Sequence, residues 1–469
     1  MRSIMQAELE NIWDNEASRS PEHNNAQGSA SENVIGLGKE AVKESIKPSG
    51  LDKLRIEGGA VLKGDIPISG AKNAALKIMC ATLLTDQPVT LTNMPVTLND
   101  IKTLAHLLKH IGVSVMARHD KTAILHARTI ETPVAPYDLV RKMRGSILVL
   151  GPLLARHGFA EVSLPGGCAI GARPVDFHIK GLEAMGAQIL IEDGYIKAKT
   201  DGGLKGATYT FPKVSHTGTE NLMMAATLAK GTTVLKNAAR EPEVTNLADC
   251  LRKMGAKITG DGTDTITIEG VEKLDGATHA VMPDRIETAT WMIAAALTNG
   301  TLRLQNADLN HLTALVGPLE KTGVKIETEG NDILVSRSGD KLIGTDIMTD
   351  PYPGFPTDIQ AQFLTMLTLC EGAGMVTETI FENRFMHVPE LCRMGADITV
   401  QGNSAIVRGV EKLKGAEVMA TDLRASASLV LAALVAEGTT TINRIYHLDR
   451  GYEDIVGKLG NVGAKIERV

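Results

Sequence analysis

The segment KMGAKITGDGTDTITIEG, residues 253–270, ends a helix-like pattern in a glycine and continues as two alternating, strand-like runs. Gly255 stands where a helix that stops favours a left-handed residue, and the alternation after it is typical of a hairpin. The same phrase recurs as HIGVSV, AMGAQI, KTGVKI, RMGADI and NVGAKI, with glycines at 112, 186, 323, 395 and 463. Six copies, spaced by 68 to 74 residues, predict a chain built from six related units.

A second phrase, an apolar helix pattern followed by a turn and a strand, interleaves with the first. It runs from ATLLTDQPVTLTN at 81–93 to ALVAEGTTTINR at 433–444, again six times. The sequence therefore predicts an α/β fold of two domains, each with three repeated β-α-β-α-β-β units, and a domain break near Pro283 and Asp284. A solenoid is the alternative, but its repeats commonly span about 20 to 50 residues, and these units are longer.

The first 50 residues are polar and lack a sustained apolar period. We expect a flexible N-terminal extension there, with a short helix around Leu9, Ile12 and Trp13 as one option and a partner-binding tail as another. The role of the extension stays open.

Composition narrows the class of protein. The chain has 469 residues, 43% of them hydrophobic, and a formal charge of −6, which disfavours a general nucleic-acid binder. Its five cysteines are scattered without a C-x-x-C pair, so neither a disulfide framework nor a zinc site is predicted. No apolar run of 18 residues and no export signal is visible. We expect a cytoplasmic protein without a membrane span.

The stretch LPGGCAIGARPVDFHIKGLEAMGA, residues 164–187, carries the clearest chemical signal. A glycine-rich loop runs into a helix that opens near Pro174, and free amides at such a helix start suit an anion. Cys168 lies on the loop with Arg173 nearby, a setting that favours a reactive thiol or a proton donor over an inert buried cysteine. The other four cysteines fall in apolar helical patterns and are predicted to be buried and inert: Cys80, Cys250, Cys370 and Cys392.

Two further stretches place polar side chains at turns. In ISGAKNAALKIMCATLL, Lys72 and Asn73 stand at a strand-to-helix turn, from which both side chains could reach a cleft. In YPGFPTDIQAQF, Asp358 follows two proline-containing turns at a helix start. By itself Asp358 is better explained as a helix N-cap.

Arginines near element boundaries form the last signal, at Arg384, Arg424 and Arg450. The guanidinium fork donates two hydrogen bonds to a phosphate or a carboxylate, although each arginine alone is equally typical of a protein surface. Together with Lys72, Arg144 and Arg173 in an acidic protein, they predict one anion-lined cleft.

Several long strings resemble the enolpyruvyl transferase family, and within it the members that act on UDP-N-acetylglucosamine: SGAKNAAL, LPGGCAIGARPVD, AAREPE, DRIETAT, FPTDIQAQF, FENRFMHVPEL and TDLRASASLVLAALVAEGTT. The resemblance covers about residue 51 to the C-terminus. It implies a two-domain inside-out α/β barrel, with residues 73–282 as the first domain and 51–72 plus 283–469 as the second. It also implies transfer of the enolpyruvyl group from phosphoenolpyruvate to the sugar 3-hydroxyl through a tetrahedral ketal, the first committed step of peptidoglycan synthesis, with no cofactor and no metal.

The resemblance assigns roles residue by residue. Cys168 is implied as the proton donor to the methylene carbon and Asp358 as the base for the sugar hydroxyl. Lys72, Arg173, Arg424 and Arg450 are implied as the cations around phosphate and carboxylate, with Lys72 and Arg450 counted as catalytic. Further substrate-binding positions are Asn73, Arg144, Pro174, Val175, Asp176, Phe177, Lys213, Ser215 and Ile380. Matched strings also contain residues without a definite role: Glu241, Asp284, Arg384 and Asp422.

One departure and two alternatives accompany the resemblance. After PKVS the chain has His216, Thr217 and Gly218, where many family members have a small apolar residue and a glycine, so nucleotide contacts are expected to differ there. An enzyme with a shikimate acceptor is disfavoured by Cys168, and an RNA 3′-terminal phosphate cyclase by the acidic charge. The resemblance further implies inactivation by fosfomycin through Cys168.

Overall fold

The computed structural model describes Trp13 and residues 53–141, 143–165, 175–339 and 341–469. Apart from Trp13, the extension predicted for residues 1–50 lies outside these described residues.

Strands and helices alternate along the described chain. Strands β1 to β24 span Lys53–Glu57, Lys63–Pro67, Val89–Thr92, Ser114–Ala117, Ala123–His126, Val134–Ala135, Phe159–Ser163, Gln188–Glu192, Tyr195–Lys199, Thr208–Thr210, Thr232–Lys236, Lys257–Thr259, Thr265–Glu269, Thr278–Ala280, Thr301–Gln305, Val324–Glu329, Asp332–Arg337, Ile347–Met348, Ala373–Thr377, Asp397–Gln401, Ser404–Arg408, Glu417–Met419, Thr439–Asn443 and Lys465–Arg468. Helices α1 to α13 span Lys72–Ala81, Asn99–Ile111, Tyr137–Val140, Leu150–His157, Asp176–Ala184, His216–Ala226, Pro242–Lys253, Arg285–Leu297, Thr313–Lys321, Gln360–Leu367, Val388–Arg393, Leu423–Val435 and Ile455–Asn461. Short 3₁₀ helices lie at Thr82–Leu84, Arg144–Val149, Leu309–Leu312, Thr357–Ile359 and Ile445–Arg450.

The described strands form six four-stranded sheets of one pattern, in which a parallel pair is followed by two antiparallel neighbours. The sheet orders are β14-β3-β5-β4, β6-β7-β9-β8, β10-β11-β13-β12, β2-β15-β17-β16, β18-β19-β21-β20 and β22-β23-β1-β24. Because β1 pairs with β23 and β24, and β2 with β15, the segment 53–67 lies with the strands of the C-terminal half. The sheets are therefore mixed, with helices between the strands.

The six repeated glycines have the backbone conformation that the sequence predicts. All of them have positive φ, from 89° at Gly186 to 112° at Gly112. In each copy a strand begins one or two residues after the glycine, the first being β4 and the last β24. A side chain with a Cβ is strained in this region of φ, so the left-handed turn between helix and strand is confirmed as the reason for these glycines.

Buried apolar side chains of the described residues form two clusters. One runs from Ala71 to Met282 and includes Trp13, and the other joins 54–68 to 286–464. The chain crosses between them twice at one point, where Gly70 bridges Pro283 and the Ala71 N–H donates to the Met282 carbonyl at 2.7 Å. Helices α1 and α8 both begin directly after this crossing. The exact domain limits given above stay a prediction.

Candidate active site

Lys72 is the first residue of α1, at the crossing between the two clusters. Its backbone N–H donates to Asp284 Oδ2 at 3.2 Å, while Asp284 Oδ1 caps α8 by accepting from the N–H groups of Ile286 and Glu287. Asp284 therefore fixes the starts of two helices at once. This is a structural role for a residue whose role the sequence left undefined.

A buried carboxylate joins Lys72 to the second half of the chain. Asp100, in the first turn of α2, lies with Oδ2 2.9 Å from Lys72 Nζ and accepts from Arg450 Nε on Oδ1 at 2.8 Å. Burial alone raises the pKa of Asp100, but Lys72 and Arg450 outweigh it and hold this pKa below its usual value. Burial, together with Arg424 and Arg450, lowers the pKa of Lys72 despite the opposing effect of Asp100. Asp100 thus keeps two predicted cations in contact across the two halves.

Asp358 lies in the 3₁₀ helix Thr357–Ile359 and accepts hydrogen bonds from two arginines. Arg384 Nη2 donates to its Oδ1 at 2.7 Å, and Arg424 Nη2 donates to its Oδ2 at 2.8 Å. The 3₁₀ helix begins after Pro356 without a side-chain cap, so the simple N-cap explanation of Asp358 does not hold. Burial alone lowers the pKa of Arg424, but Asp358 outweighs it and raises that pKa, so Arg424 stays charged.

These two carboxylates and their partners form one cluster with excess positive charge. Its cations are Lys72, Arg384, Arg424 and Arg450, its carboxylates are Asp100 and Asp358, and Arg424 acts electrostatically on Lys72. Asp284, which accepts from the Lys72 N–H and acts electrostatically on Arg424, brings the carboxylates to three. The four cations therefore leave one positive charge in excess in a protein whose formal charge is −6. An anionic group such as a phosphate or a carboxylate would complete the balance.

Glu378 organises the loop around Asp358. Its Oε2 accepts from the Thr357 hydroxyl at 2.8 Å, and its Oε1 accepts from the Ile380 N–H at 2.8 Å and the Thr349 hydroxyl at 2.9 Å. This buried carboxylate therefore ties the residue before Asp358 to the predicted substrate-binding residue Ile380. Rigid neighbours of this kind preserve the geometry of a reacting group.

The predicted nucleotide-binding residues gather at the starts of neighbouring helices. Ser215 caps α6 by accepting from the Gly218 N–H at 3.1 Å, with Lys213 just before it. Helix α5 begins after Val175 with Asp176 and Phe177. The two helices are joined through His178, whose ring nitrogens lie 2.9 Å from Asn221 Nδ2 and 3.2 Å from the Thr217 hydroxyl. Burial, reinforced by the charge of Arg144, lowers the pKa of His178 to about 4.

Some predicted residues stand apart from these groups. Cys168, Arg173 and Pro174 lie outside the described residues. Asn73 is the only residue of α1 that is not buried. Asp422 caps α12 by accepting from the N–H groups of Arg424 and Ala425, and Glu241 stands at the N-cap of α7 without a side-chain cap bond.

The remaining cysteines mostly behave as the sequence predicts. Cys80, Cys250 and Cys370 are buried, and burial raises the pKa of each thiol, to about 12 for Cys250 and Cys370. Cys392 is exposed, so the prediction of a buried position is wrong for it. The reason is that α11 presents its Leu391 side to the core and the next position to solvent.

Sequence reasoning missed Asp100, Glu378 and the pair Glu243–Arg285, in which Arg285 Nε lies 3.0 Å from Glu243 Oε1. For Asp100 the sequence did contain a signal. An aspartate next to the apolar Ile101 on the buried face of a helix needs a cation or a hydrogen-bond donor as its partner. The partner of Glu243 and two of the partners of Glu378 lie 21 to 42 residues away in sequence.

Within the described part of the chain, no group of three or more metal-ligating side chains is found. Likewise, none of the described helices is long and apolar enough to cross a membrane.

Comparisons with known proteins converge on one family. The family model described as EPSP synthase (3-phosphoshikimate 1-carboxyvinyltransferase) matches residues 56–459. A UDP-N-acetylglucosamine 1-carboxyvinyltransferase of Dinoroseobacter shibae is 57% identical over 420 residues, which cover 89% of this chain and 99% of that protein. The crystal structure of the enolpyruvyl transferase NikO from Streptomyces tendae matches with a TM-score of 0.80 and 26% identity, over 88% of this chain and 98% of its own. An EPSP synthase from Acinetobacter baumannii shares the fold with a TM-score of 0.70 at 20% identity, over 88% of this chain and 99% of its own.

Proposed function

The chain belongs to the enolpyruvyl transferase family, and on that premise we propose that it moves the enolpyruvyl group of phosphoenolpyruvate to the 3-hydroxyl of UDP-N-acetylglucosamine. The observation that carries the choice of acceptor is the 57% identity with the Dinoroseobacter relative over nearly its whole length. The EPSP synthase structures, at 20% identity, bear on the fold alone. The finer architecture proposed is an inside-out barrel of three repeated units in each domain.

The charge cluster suits this donor. Phosphoenolpyruvate has a phosphate and a carboxylate, and the cluster of Lys72, Arg384, Arg424 and Arg450 carries more positive charge than its neighbouring carboxylates neutralise. Arg424 and Arg450 come from the second half of the chain and Lys72 from the start of α1, so a bound donor would be held from both sides. Preorganised cations of this kind stabilise charge that develops on the departing phosphate.

The proposed reaction has two steps. The sugar oxygen adds to C2 of the donor while Asp358 takes the hydroxyl proton and Cys168 gives a proton to C3, which forms the tetrahedral ketal. The Cys168 thiolate then takes a proton back from C3 while the C2–O bond to phosphate breaks, which restores the double bond and releases inorganic phosphate. In the structure Asp358 accepts hydrogen bonds from Arg384 and Arg424. The carboxylate of the donor would therefore compete with Asp358 for Arg424.

This activity would place the protein at the first committed step of peptidoglycan synthesis, in the cytoplasm, with consequences for cell shape and division. Fosfomycin, an alkylating mimic of the donor, should form an adduct with Cys168. The rest of the proposed substrate site is as the sequence implies, with the nucleotide near Arg144, Lys213 and Ser215.

The test is phosphate release from phosphoenolpyruvate with either UDP-N-acetylglucosamine or shikimate-3-phosphate as acceptor. We expect release only with the UDP-sugar, and a strong loss in a Cys168→Ala variant. Cys392→Ala is the matched control, because Cys392 is exposed on α11 and is not one of the residues of the charge cluster. Release with shikimate-3-phosphate would transfer the assignment to the other acceptor class, and release with neither would refute the proposal.

A further inference from the structure

His216, the first residue of α6, and Lys77 both form ion pairs with the buried Glu220. His216 Nε2 lies 3.2 Å from Glu220 Oε1, and Lys77 Nζ of α1 lies 3.3 Å from Glu220 Oε2. The Glu220 side chain has no exposed surface. Among the described residues, neither Glu220 oxygen nor His216 Nε2 finds a well-aligned hydrogen bond. The two neighbouring charges therefore stabilise the carboxylate.

Among the described groups that act on His216 and Glu243, carboxylates outnumber permanent cations. The carboxylates are Glu220, Glu241 and Glu243, and the permanent cations are Lys77 of α1 and Arg285 of α8. Three negative charges face two positive ones, so one negative charge is left. An imidazolium at position 216 supplies the missing positive charge.

The pKa of His216 agrees with this balance. Burial alone lowers it, but Glu220 and then Glu241 outweigh burial and the opposing charge of Lys77, and the pKa lies above its ordinary value of 6.5. His178 of α5, which contacts the neighbouring Thr217, has a pKa of about 4 and adds no charge near neutral pH.

The position of His216 places these ion pairs next to the proposed acceptor site. Nε2 is buried against Glu220, but 25% of the side chain stays exposed, so the exposed part lies elsewhere on the side chain. Directly before it lie Ser215, which caps α6, and Lys213, both proposed to hold the nucleotide. A positive ring at the start of an eleven-residue helix adds to the attraction for a diphosphate.

We propose that His216 is a positioning residue for the acceptor, an imidazolium held by Glu220 whose charge makes affinity for the nucleoside diphosphate fall as pH rises. The inference rests on the proposed function, because it assumes a UDP-sugar at this helix start. Loss of the proton removes one positive charge beside the diphosphate and leaves Glu220 with Lys77 as its remaining cation. The affinity for phosphoenolpyruvate should change little, since its proposed cations Lys72, Arg424 and Arg450 form a separate cluster.

The experiment compares KM for the two substrates between pH 6 and 8.5 in the wild type, His216→Gln and His216→Lys. In the wild type, KM for the UDP-sugar should rise about tenfold across this range, equivalent to about 1.4 kcal/mol. His216→Gln should have the high value throughout, and His216→Lys should restore the low value without the pH dependence. His157→Gln, which alters an exposed histidine at the end of α4, should keep the wild-type profile and so accounts for any titration of the substrates.

The outcomes separate this inference from the proposed function. If the wild type releases phosphate with the UDP-sugar but His216→Gln keeps the wild-type pH profile, the role of His216 is refuted and the function stands. If the wild type does not use the UDP-sugar, both are refuted. Should His216→Gln fail to fold, NMR titration of the His216 ring in the wild type decides, since adding UDP should raise its pKa, and an unchanged pKa would overturn the proposal.

Discussion

Arg450 donates from Nε to Asp100 Oδ1 at 2.8 Å, although 350 residues separate them in the chain. The other oxygen of Asp100 lies 2.9 Å from Lys72 Nζ. One buried carboxylate therefore holds a cation from each side of the proposed donor site. Its pKa stays below the usual value because the two cations outweigh its burial.

Replacing Asp100 by Asn should misplace both cations. The amide keeps the size of the side chain but not its charge, so Lys72 and Arg450 would repel each other across the site. We expect kcat/KM for phosphoenolpyruvate to fall on the order of 100-fold, which corresponds to about 2.7 kcal/mol. Asp138→Asn, an exposed aspartate on α3, is the control in the same steady-state assay and should stay at the wild-type rate. A value for Asp100→Asn within twofold of the wild type would contradict the bridging role.

Arg384 should act through Asp358 rather than on a substrate alone. Arg384→Ala removes the partner of Asp358 Oδ1 and leaves Arg424 on Oδ2, so the carboxylate gains freedom to rotate away from a hydroxyl that it must deprotonate. We expect kcat to fall about tenfold or more, with partial recovery in Arg384→Lys, because a lysine supplies the charge without the fork. The readout is kcat and KM measured separately.

The control for Arg384 is Arg408→Ala. Arg408 pairs with Asp397 at 3.3 Å on the surface, where ion pairs contribute little. If Arg384→Ala changed only KM for phosphoenolpyruvate and left kcat intact, Arg384 would be a donor-binding residue and not the one that positions Asp358.

The sequence was most informative where local chemistry decides the structure. The six glycines predicted a left-handed turn before a strand, and every one adopts it, because no other residue accepts that φ without strain. The start of α1 at Lys72 followed from a similarly local signal, and α5 begins at Asp176, close to the start predicted near Pro174. Such features depend on a few neighbouring residues.

Other parts of the site depend on pairings that no local pattern contains. Asp358 was better explained as an N-cap until Arg384 and Arg424, 26 and 66 residues away, were seen to hold it. Asp100 and Glu378 were missed because part of the role of each comes from a partner far away in the chain, Arg450 for Asp100 and Thr357 for Glu378. Sequence periodicity gives the face of an element but not what the fold packs against it.

The buried pair Glu243–Arg285 should make stability depend on pH. Burial alone raises the pKa of Glu243, but Arg285, His216 and Lys77 outweigh it and lower the pKa to about 2. A carboxylate with a depressed folded-state pKa stabilises the protein above its unfolded pKa, and this stability is lost as pH falls toward the folded value. Between about pH 4.5 and 2, the pair should lose about 3 kcal/mol of its contribution.

Urea unfolding of the wild type and Glu243→Gln at pH 5.5, 4.5 and 3.5 measures this effect. The difference in unfolding free energy should be largest at pH 5.5 and shrink as the pH falls, because the variant has no proton to take up at this site. Glu320→Gln, at an exposed position on α9, should differ little from the wild type at any of the three values. A difference for Glu243→Gln that is constant with pH would show that Glu243 does not titrate with a depressed pKa.

Trp13 gives the last prediction, because it lies 43 residues before the start of the family match and is nevertheless buried. Its indole Nε1 donates to the Val96 carbonyl at 2.9 Å, and its ring belongs to the first hydrophobic cluster. Thr97, which follows Val96, donates from its hydroxyl to Glu453 of the second half at 2.7 Å. Docking of Trp13 should therefore stabilise the loop that meets the second half.

The chain has two tryptophans, so a Trp291→Phe variant leaves Trp13 as the only indole fluorophore. Its emission should be blue-shifted and resist quenching by acrylamide, and both properties should disappear on unfolding in urea. Trp13→Ala in the wild-type background should lower the unfolding free energy by about 2 kcal/mol, because the side chain loses its apolar burial and leaves the Val96 carbonyl without its donor. A quenching constant for Trp13 equal to that of free tryptophan, in a variant whose circular dichroism matches the wild type, would mean that this residue does not dock in solution. The N-terminal extension would then contribute nothing to the Thr97–Glu453 contact, and Trp13→Ala should leave stability unchanged.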